Sequence, residues 1–306
     1  MMKKFYSNGK LLITGEYAVL DGAKALAIPT KFGQSLEIET SEAENIEWNS
    51  FDEHGNLWFQ GEFEYKSDKF QHIKGEQEVS KRLVEILNEA DKLNPQLFSA
   101  EKTGIKVNTS LDFNRNWGLG TSSTLINNIA NWFEIDAFKL LKNTFGGSGY
   151  DIAAAQNDQA ITYQLTENGA SVLKTNFYPD FSENIFFVYL NEKKNSRDAI
   201  KHYNALPEAN KAGLTEKISS LTEQFANCKT LTEFELLINI HETLISKALQ
   251  TPKVKQERFP DFPRAIKSLG GWGGDFVMVT GDKAEVLEYF NNKGFETILA
   301  FKDIVL

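Results

Sequence analysis

The stretch Asn116-Trp117-Gly118-Leu119-Gly120-Thr121-Ser122-Ser123-Thr124 constrains this chain more than any other. Its two glycines let the backbone turn tightly and come close to another group. Apolar residues then recur at helical spacing, so the spacing predicts a helix from Thr121 to about Phe133. The hydroxyls of Thr121, Ser122 and Ser123 stand in its first turn, among N–H groups without intrahelical partners and at the positive end of the helix dipole. Such a turn suits phosphate. It is also the form of an ordinary capped helix start. A dinucleotide fingerprint would need glycine where Ser123 stands, and the phosphate-loop pattern G-x-x-x-x-G-K-[ST] occurs nowhere in the chain.

The 306 residues leave room for two domains. Hydrophobic residues at 41% and charged residues at 25% fit a soluble globular protein. A net charge of -9 argues against nucleic acid as partner, because phosphate backbones call for basic stripes. The lone Cys228 allows no intramolecular disulfide, and His54, His72, His202 and His241 show no metal-ligand spacing. Met1-Met2-Lys3-Lys4-Phe5 lacks the apolar run of a signal peptide, and no segment is long and apolar enough to span a membrane. A cytoplasmic location is expected.

Leu11–Thr14, Leu26–Ile28 ending at Pro29, and the alternating Ser35–Glu39 read as strands, while Leu57–Phe59 and Phe63–Tyr65 flank Gly61 as a hairpin would. Val79, Leu83, Ile86, Leu87 and Ala90 share one face of a helix over about 76–93. In the second half, strands at Ile161–Leu165 and Ile185–Leu190 precede helical stretches near 197–204, 208–227 and 231–249. A βαβ-like tail follows (strand 276–279, helix 283–291, strand 297–300), so an α+β sandwich is expected. The domains divide at 1–150 and 151–306.

Three more segments could carry chemistry. Lys10 precedes an apolar strand that ends in Gly15-Glu16-Tyr17, which brings a cation and an acceptor to one strand, although charged side chains are mostly solvated. Gly146-Gly147-Ser148-Gly149-Tyr150-Asp151 puts small residues before a carboxylate that could orient or deprotonate a hydroxyl, or simply cap a helix. Gly270-Gly271-Trp272-Gly273-Gly274-Asp275 is either a loop passing close to a ligand or a turn.

Taken in order, the four segments resemble those of the GHMP kinase superfamily, which includes galactokinase and the homoserine, mevalonate and phosphomevalonate kinases. Lys10–Val19 is similar to the N-terminal motif, most of all in the mevalonate and phosphomevalonate branch. Gly118–Ser123 resembles the G-L-G-S-S-A phosphate loop, Gly147–Asp151 the catalytic-Asp segment, and Gly270–Asp275 the C-terminal glycine loop. The string Gly149-Tyr150-Asp151-Ile152-Ala153 resembles that of the branch named for it. The resemblance implies a two-domain fold with an N-terminal mixed α/β ATP-binding domain and a ferredoxin-like C-terminal domain. ATP and Mg²⁺ are the implied cofactors and a small molecule the acceptor, in a protein often found as a homodimer. Gly118, Leu119, Gly120, Thr121, Ser122 and Ser123 would hold the nucleotide, and Ser122 the metal. Asp151 would act on the acceptor hydroxyl, with Lys10 keeping it ionised and stabilising phosphoryl charge. Glu16, Tyr17 and the loop Gly270, Gly271, Trp272, Gly273 and Gly274 would face the acceptor. Should the acceptor carry phosphate, Lys193, Lys194, Arg197 and Arg115 are candidate cations.

This chain departs from the family pattern at several positions. Asn8 and Asn114 replace common prolines, and Trp272 sets a large ring within a glycine loop. The metal glutamate of mevalonate kinases falls in register with Leu140, with Glu134 and Asp136 nearby but out of register. Two other readings use the same fold: a nucleotide-binding protein without catalysis, and diphosphomevalonate decarboxylase. The latter has Ser-Ala-Cys-Arg where Tyr150-Asp151-Ile152 follows here.

Overall fold

The computed structural model describes residues 2–42, 44–99, 104–194 and 196–306, and the side chains of 98, 99, 196 and 197 lie outside that description. The strands of the first half are β1 (Lys3–Thr14), β2 (Ala25–Ser41), β3 (Ile46–Phe51), β4 (Leu57–Tyr65), β5 (Phe70–Gly75) and β6 (Gly104–Leu111). Those of the second half are β7 (Ile161–Thr166), β8 (Gly169–Lys174), β9 (Ile185–Tyr189), β10 (Ile266–Ser268), β11 (Phe276–Thr280) and β12 (Ile298–Ala300). The helices begin with α1 (Gln77–Leu93), α2 (Pro95–Ser99), α3 (Thr121–Phe133), α4 (Ala137–Thr144), α5 (Tyr150–Ala155) and α6 (Ser196–Asn204). They continue with α7 (Glu208–Lys211), α8 (Leu214–Asn227), α9 (Leu231–Leu249), α10 (Val254–Arg258), α11 (Lys283–Asn292) and α12 (Phe301–Ile304). Among the described residues no helix is long and apolar enough to cross a membrane.

Two compact units result. The first comprises Met1–Gly9, Phe32–Arg115 and Leu119–Gln156. In it β5, β4, β3, β6 and the later part of β2 lie side by side, with β3 parallel to β6 and the other pairs antiparallel. Alternate residues of these strands, such as Leu36, Ile38, Trp48, Phe63 and Val107, share one apolar core with Leu83 and Leu87 of α1, Ile126 and Ile129 of α3, and Leu140 of α4. The Glu76 carboxylate caps α1 by accepting from Glu78 N and Val79 N.

The second unit comprises Lys10–Lys31, Asn116–Gly118 and Asn157–Leu306. Its four-stranded antiparallel sheet has the order β10-β11-β9-β12. Helices α8 and α9 lie in the chain between its first and second strands, and α11 between its third and fourth. Second-third-first-fourth order with those crossovers is the expected ferredoxin-like arrangement.

Three local expectations change. The strand at Leu26–Ile28 does not end at Pro29, because β2 continues to Ser41. On that side Pro29 falls between the ladder to β7 (Ala25–Ala27) and the ladder to β6 (Gln34–Ser41), so its missing N–H breaks neither. Gly61 is not a hairpin turn but lies inside β4, where a Cβ would come within 2.9 Å of the Phe59 ring and 3.0 Å of the Phe63 ring. The hairpin forms instead at Lys66–Lys69, between β4 and β5. The helix expected over 208–227 is two helices, broken at Ala212–Gly213 where Gly213 is left-handed.

Candidate functional site

In the second unit Lys10 leaves β1 and donates from Nζ to the carbonyl of Gly118 at 2.8 Å. Gly118 has φ +69 and packs flat against the Asp275 carboxylate, where a Cβ would meet Asp275 Cγ at 2.5 Å. Asp275 is 9% exposed, and its Oδ1 accepts from Lys194 N at 3.1 Å. Burial pushes its carboxyl up, against the opposing pull of Lys10, the Lys194 and Gly271 N–H groups and Lys193. The glycine loop is a hairpin connection between β10 and β11, closed by Leu269 N donating to Phe276 O at 3.1 Å. Its glycines make room for Lys194, since a Cβ on Gly271 or Gly274 would come within 2.7 or 2.2 Å of that side chain. The Lys194 ammonium pairs with Glu192 at 2.6 Å.

Glu16 is 1% exposed, and its carboxylate is taken by Lys267 Nζ and lies 3.1 Å from His241 Nε2. Burial pushes the Glu16 carboxyl up, but Lys267 foremost and His241 outweigh it and hold it below its ordinary value. Glu242 completes the cluster, accepting from Ser268 N at 3.1 Å. Burial drives its carboxyl up to about 8. Tyr17 has φ +59, rare for a bulky side chain and a mark of local strain. Its ring stacks on Tyr203 at 5.5 Å, and its hydroxyl accepts from Trp272 N at 2.9 Å. The Trp272 indole donates to Pro252 O at 2.9 Å, so both ends of this residue are held. Gly270 and Gly273 both have positive φ, and Gly273 O lies 3.5 Å from Arg258 Nη1.

In the first unit Leu119 is fully buried and Gly120, with φ +97, opens α3 with no side-chain cap. Ser123 is buried and turns its hydroxyl back to Gly120 O at 2.9 Å. Thr121 is half-buried and Ser122 exposed, and the Ser122 hydroxyl makes no hydrogen bond among the described residues. Among the described residues the first turn thus presents uncapped amides and two hydroxyls without a hydrogen bond, those of Thr121 and Ser122. Thr124, one turn in, donates to Gln34 Oε1 at 2.7 Å and anchors the helix start from below. Asp151 is half-buried in the first turn of α5 behind the left-handed Gly149, with Oδ1 accepting from Ile152 N at 3.0 Å.

The remaining candidates separate. Arg115 lies over the Trp58 ring, 4.6 Å from its centroid. Arg197 is on α6, and its side chain lies outside the described residues. Leu140 is fully buried in the core. Glu134 is the left-handed residue that ends α3, and Asp136 caps α4 by accepting from Phe138 N at 2.8 Å. Asp136 therefore has local structural work, while Glu134 contributes its backbone conformation to the end of α3. Among the described residues no group of three His, Cys, Asp or Glu side chains could hold a metal ion.

Lys267 and Glu242 sit in apolar strand and helix patterns that hide them, His241 enters the sequence reading only as a histidine without ligand spacing, and Asp275 only as the end of the glycine loop. An ionisable residue inside an apolar run (Lys267 between Ile266 and Leu269, Glu242 within α9) was the available signal.

No protein-family profile matches the chain, and no curated protein matches it. Solved structures do. Mevalonate kinase of Methanococcus jannaschii superposes with a TM-score of 0.68 at 18% identity, over 98% of this chain and 97% of that one. Phosphomevalonate kinase of Streptococcus pneumoniae, in complex with phosphomevalonate and AMPPNP, gives 0.66 at 17% identity over 97% and 99%. A D-glycero-D-manno-heptose 1-phosphate kinase of Bacteroides thetaiotaomicron gives 0.67 at 15% identity over 100% and 96%. The architecture of this chain is the GHMP kinase fold.

Proposed function

We propose that this chain is an ATP-dependent small-molecule kinase of the GHMP superfamily. The nucleotide would lie over the Gly118–Ser123 turn, and the acceptor would be a hydroxyl or phosphate oxygen of a small acid, mevalonate or phosphomevalonate first. The observation that carries this reading is the opening of α3, where a left-handed Gly120 without a side-chain cap leaves the first-turn amides and the exposed Ser122 hydroxyl for an anion. Near full-length likeness to three kinases of different acceptors supports phosphoryl transfer as the reaction class.

Ser122 fits Mg²⁺, because its hydroxyl is free and this cation keeps several waters and takes phosphate oxygens as ligands. Bound there, the ion would neutralise charge on the phosphates. Asp151 would accept or orient the proton of the acceptor hydroxyl. Lys10 would hold the first glycine of the turn through its bond to Gly118 O and place positive charge beside it. Tyr17 and Trp272, tied to each other through the Trp272 amide, are the second unit's candidates for contact with the acceptor.

The test is coupled ADP release with MgATP against mevalonate, phosphomevalonate, homoserine, galactose and shikimate, with Asp151→Asn as control. Turnover on one acceptor that is lost in the variant supports the reading and names the substrate. Nucleotide binding without turnover on any of them favours a ligand-binding protein on the same fold.

A further inference from the structure

The residues that would act on the two substrates stand on two helices of the first unit, Ser122 on α3 and Asp151 on α5. Helix α5 has six residues, too few to hold its own position. Its buried stretch, Ile152-Ala153-Ala154-Ala155, offers one core side chain, Ile152, and three small residues that give little register along the helix axis.

Polar groups add to that register. Gln156, the C-cap of α5, donates from Nε2 to Asn127 Oδ1 at 2.9 Å. Asn127 is 2% exposed, and its Nδ2 donates to Ser7 Oγ at 2.9 Å. Ser7 in turn donates to Asn128 Oδ1 at 2.7 Å, and Asn128 Nδ2 donates to Gln34 O at 2.8 Å. Asn127 therefore both accepts and donates, and a flipped or shifted amide would leave two buried groups unpaired. Asn127 follows Ser122 by five positions and Gln156 follows Asp151 by five. One hydrogen bond thus joins equivalent points on the two helices, roughly 7.5 Å along each axis from the group that would act.

We propose that Asn127 and Gln156 are positioning residues that set Asp151 against the Ser122 turn for phosphoryl transfer. This rests on the kinase reading above. The experiment compares Gln156→Met, Asn127→Leu and the double variant with the wild type. Gln156→Met keeps an unbranched side chain and removes this bond alone, whereas Asn127→Leu keeps the branch at Cγ and removes the bond to Ser7 as well. Gln156→Met should lower kcat roughly ten- to hundred-fold, as a misplacement near 1 Å does. Its affinity for AMPPNP and its melting temperature should stay close to wild type. Because both act through one bond, the effects of the pair on kcat should not add. Wild-type kcat in Gln156→Met overturns the proposal, and so does a parallel loss of nucleotide affinity and melting temperature, which marks a structural role. Absence of wild-type turnover, or wild-type turnover in Asp151→Asn, overturns the kinase reading itself and the proposal with it, and both are measured first.

Discussion

The Lys267 ammonium is buried against the Glu16 carboxylate, 251 positions away in the chain, and neither side chain is more than 1% exposed. A buried pair stabilises little against a well-packed apolar pair, but breaking it leaves a stranded charge. Lys267→Met should cost about 3–5 kcal/mol in urea unfolding, because Glu16 loses its main partner. Glu16→Gln in the same chain should recover most of that loss. A single variant within about 1 kcal/mol of wild type would show that water reaches the pair.

Glu242 should make stability fall as pH rises. Its carboxyl lies at about 8 in the fold against an ordinary 4.5, so the folded state binds more protons than the unfolded chain between those values. Its favourable contribution is complete below pH 4.5 and is lost as pH climbs through 8. The loss amounts to about 1.4 kcal/mol per unit of displacement. Burial and the Lys267 charge hold His241 low, which acts in the opposite direction as pH falls through the usual imidazole range. Glu242→Gln leaves that contribution in place, so the gap in melting temperature between variant and wild type should widen from pH 5 to 8 and then level off. A constant gap would place Glu242 in contact with solvent.

Gly118 and Gly274 should respond differently to alanine. At Gly118 φ is +69 and the new Cβ meets the Asp275 carboxylate at 2.5 Å, a group held in place by Lys194 N–H. Backbone strain alone costs about 1–2 kcal/mol, so Gly118→Ala should lower stability by at least that much and weaken nucleotide binding. At Gly274 the backbone is not left-handed, and the obstacle is Lys194 Cγ at 2.2 Å, which clears only by a χ1 rotation that opens the pair with Glu192. Gly274→Ala should cost less than Gly118→Ala, about 1 kcal/mol for the opened surface pair. Thermal melts and AMPPNP titration of both variants check the contrast, and equal losses would refute it.

Ser122→Ala should raise the dissociation constant for MgATP while leaving the melting temperature alone, because the exposed hydroxyl makes no hydrogen bond among the described residues. Asp151→Asn should keep nucleotide affinity and lose about a hundredfold or more in kcat, the usual worth of a positioned proton acceptor. Unchanged MgATP affinity in the first variant would remove Ser122 from the metal site.

Local spacing carried much of this protein. The helix over Thr121–Phe133, its glycine entry, the amphipathic α1 and the βαβ tail were legible because hydrogen-bond geometry and apolar periodicity act within a few residues. A helix starting near Asp151 was legible too, although its cap is Gly149 and Asp151 stands in the first turn. Pro29 misled for the same reason: its missing donor matters only where a neighbouring strand needs it, and β2 has none of its β6 or β7 partners there. Tertiary structure alone decided that Glu16 meets Lys267 and His241, that Asn127 inside an apolar helix meets Gln156, and that Asp275 presses on Gly118. Those relations depend on desolvation, and a charge or amide has no such cost until distant segments have closed over it.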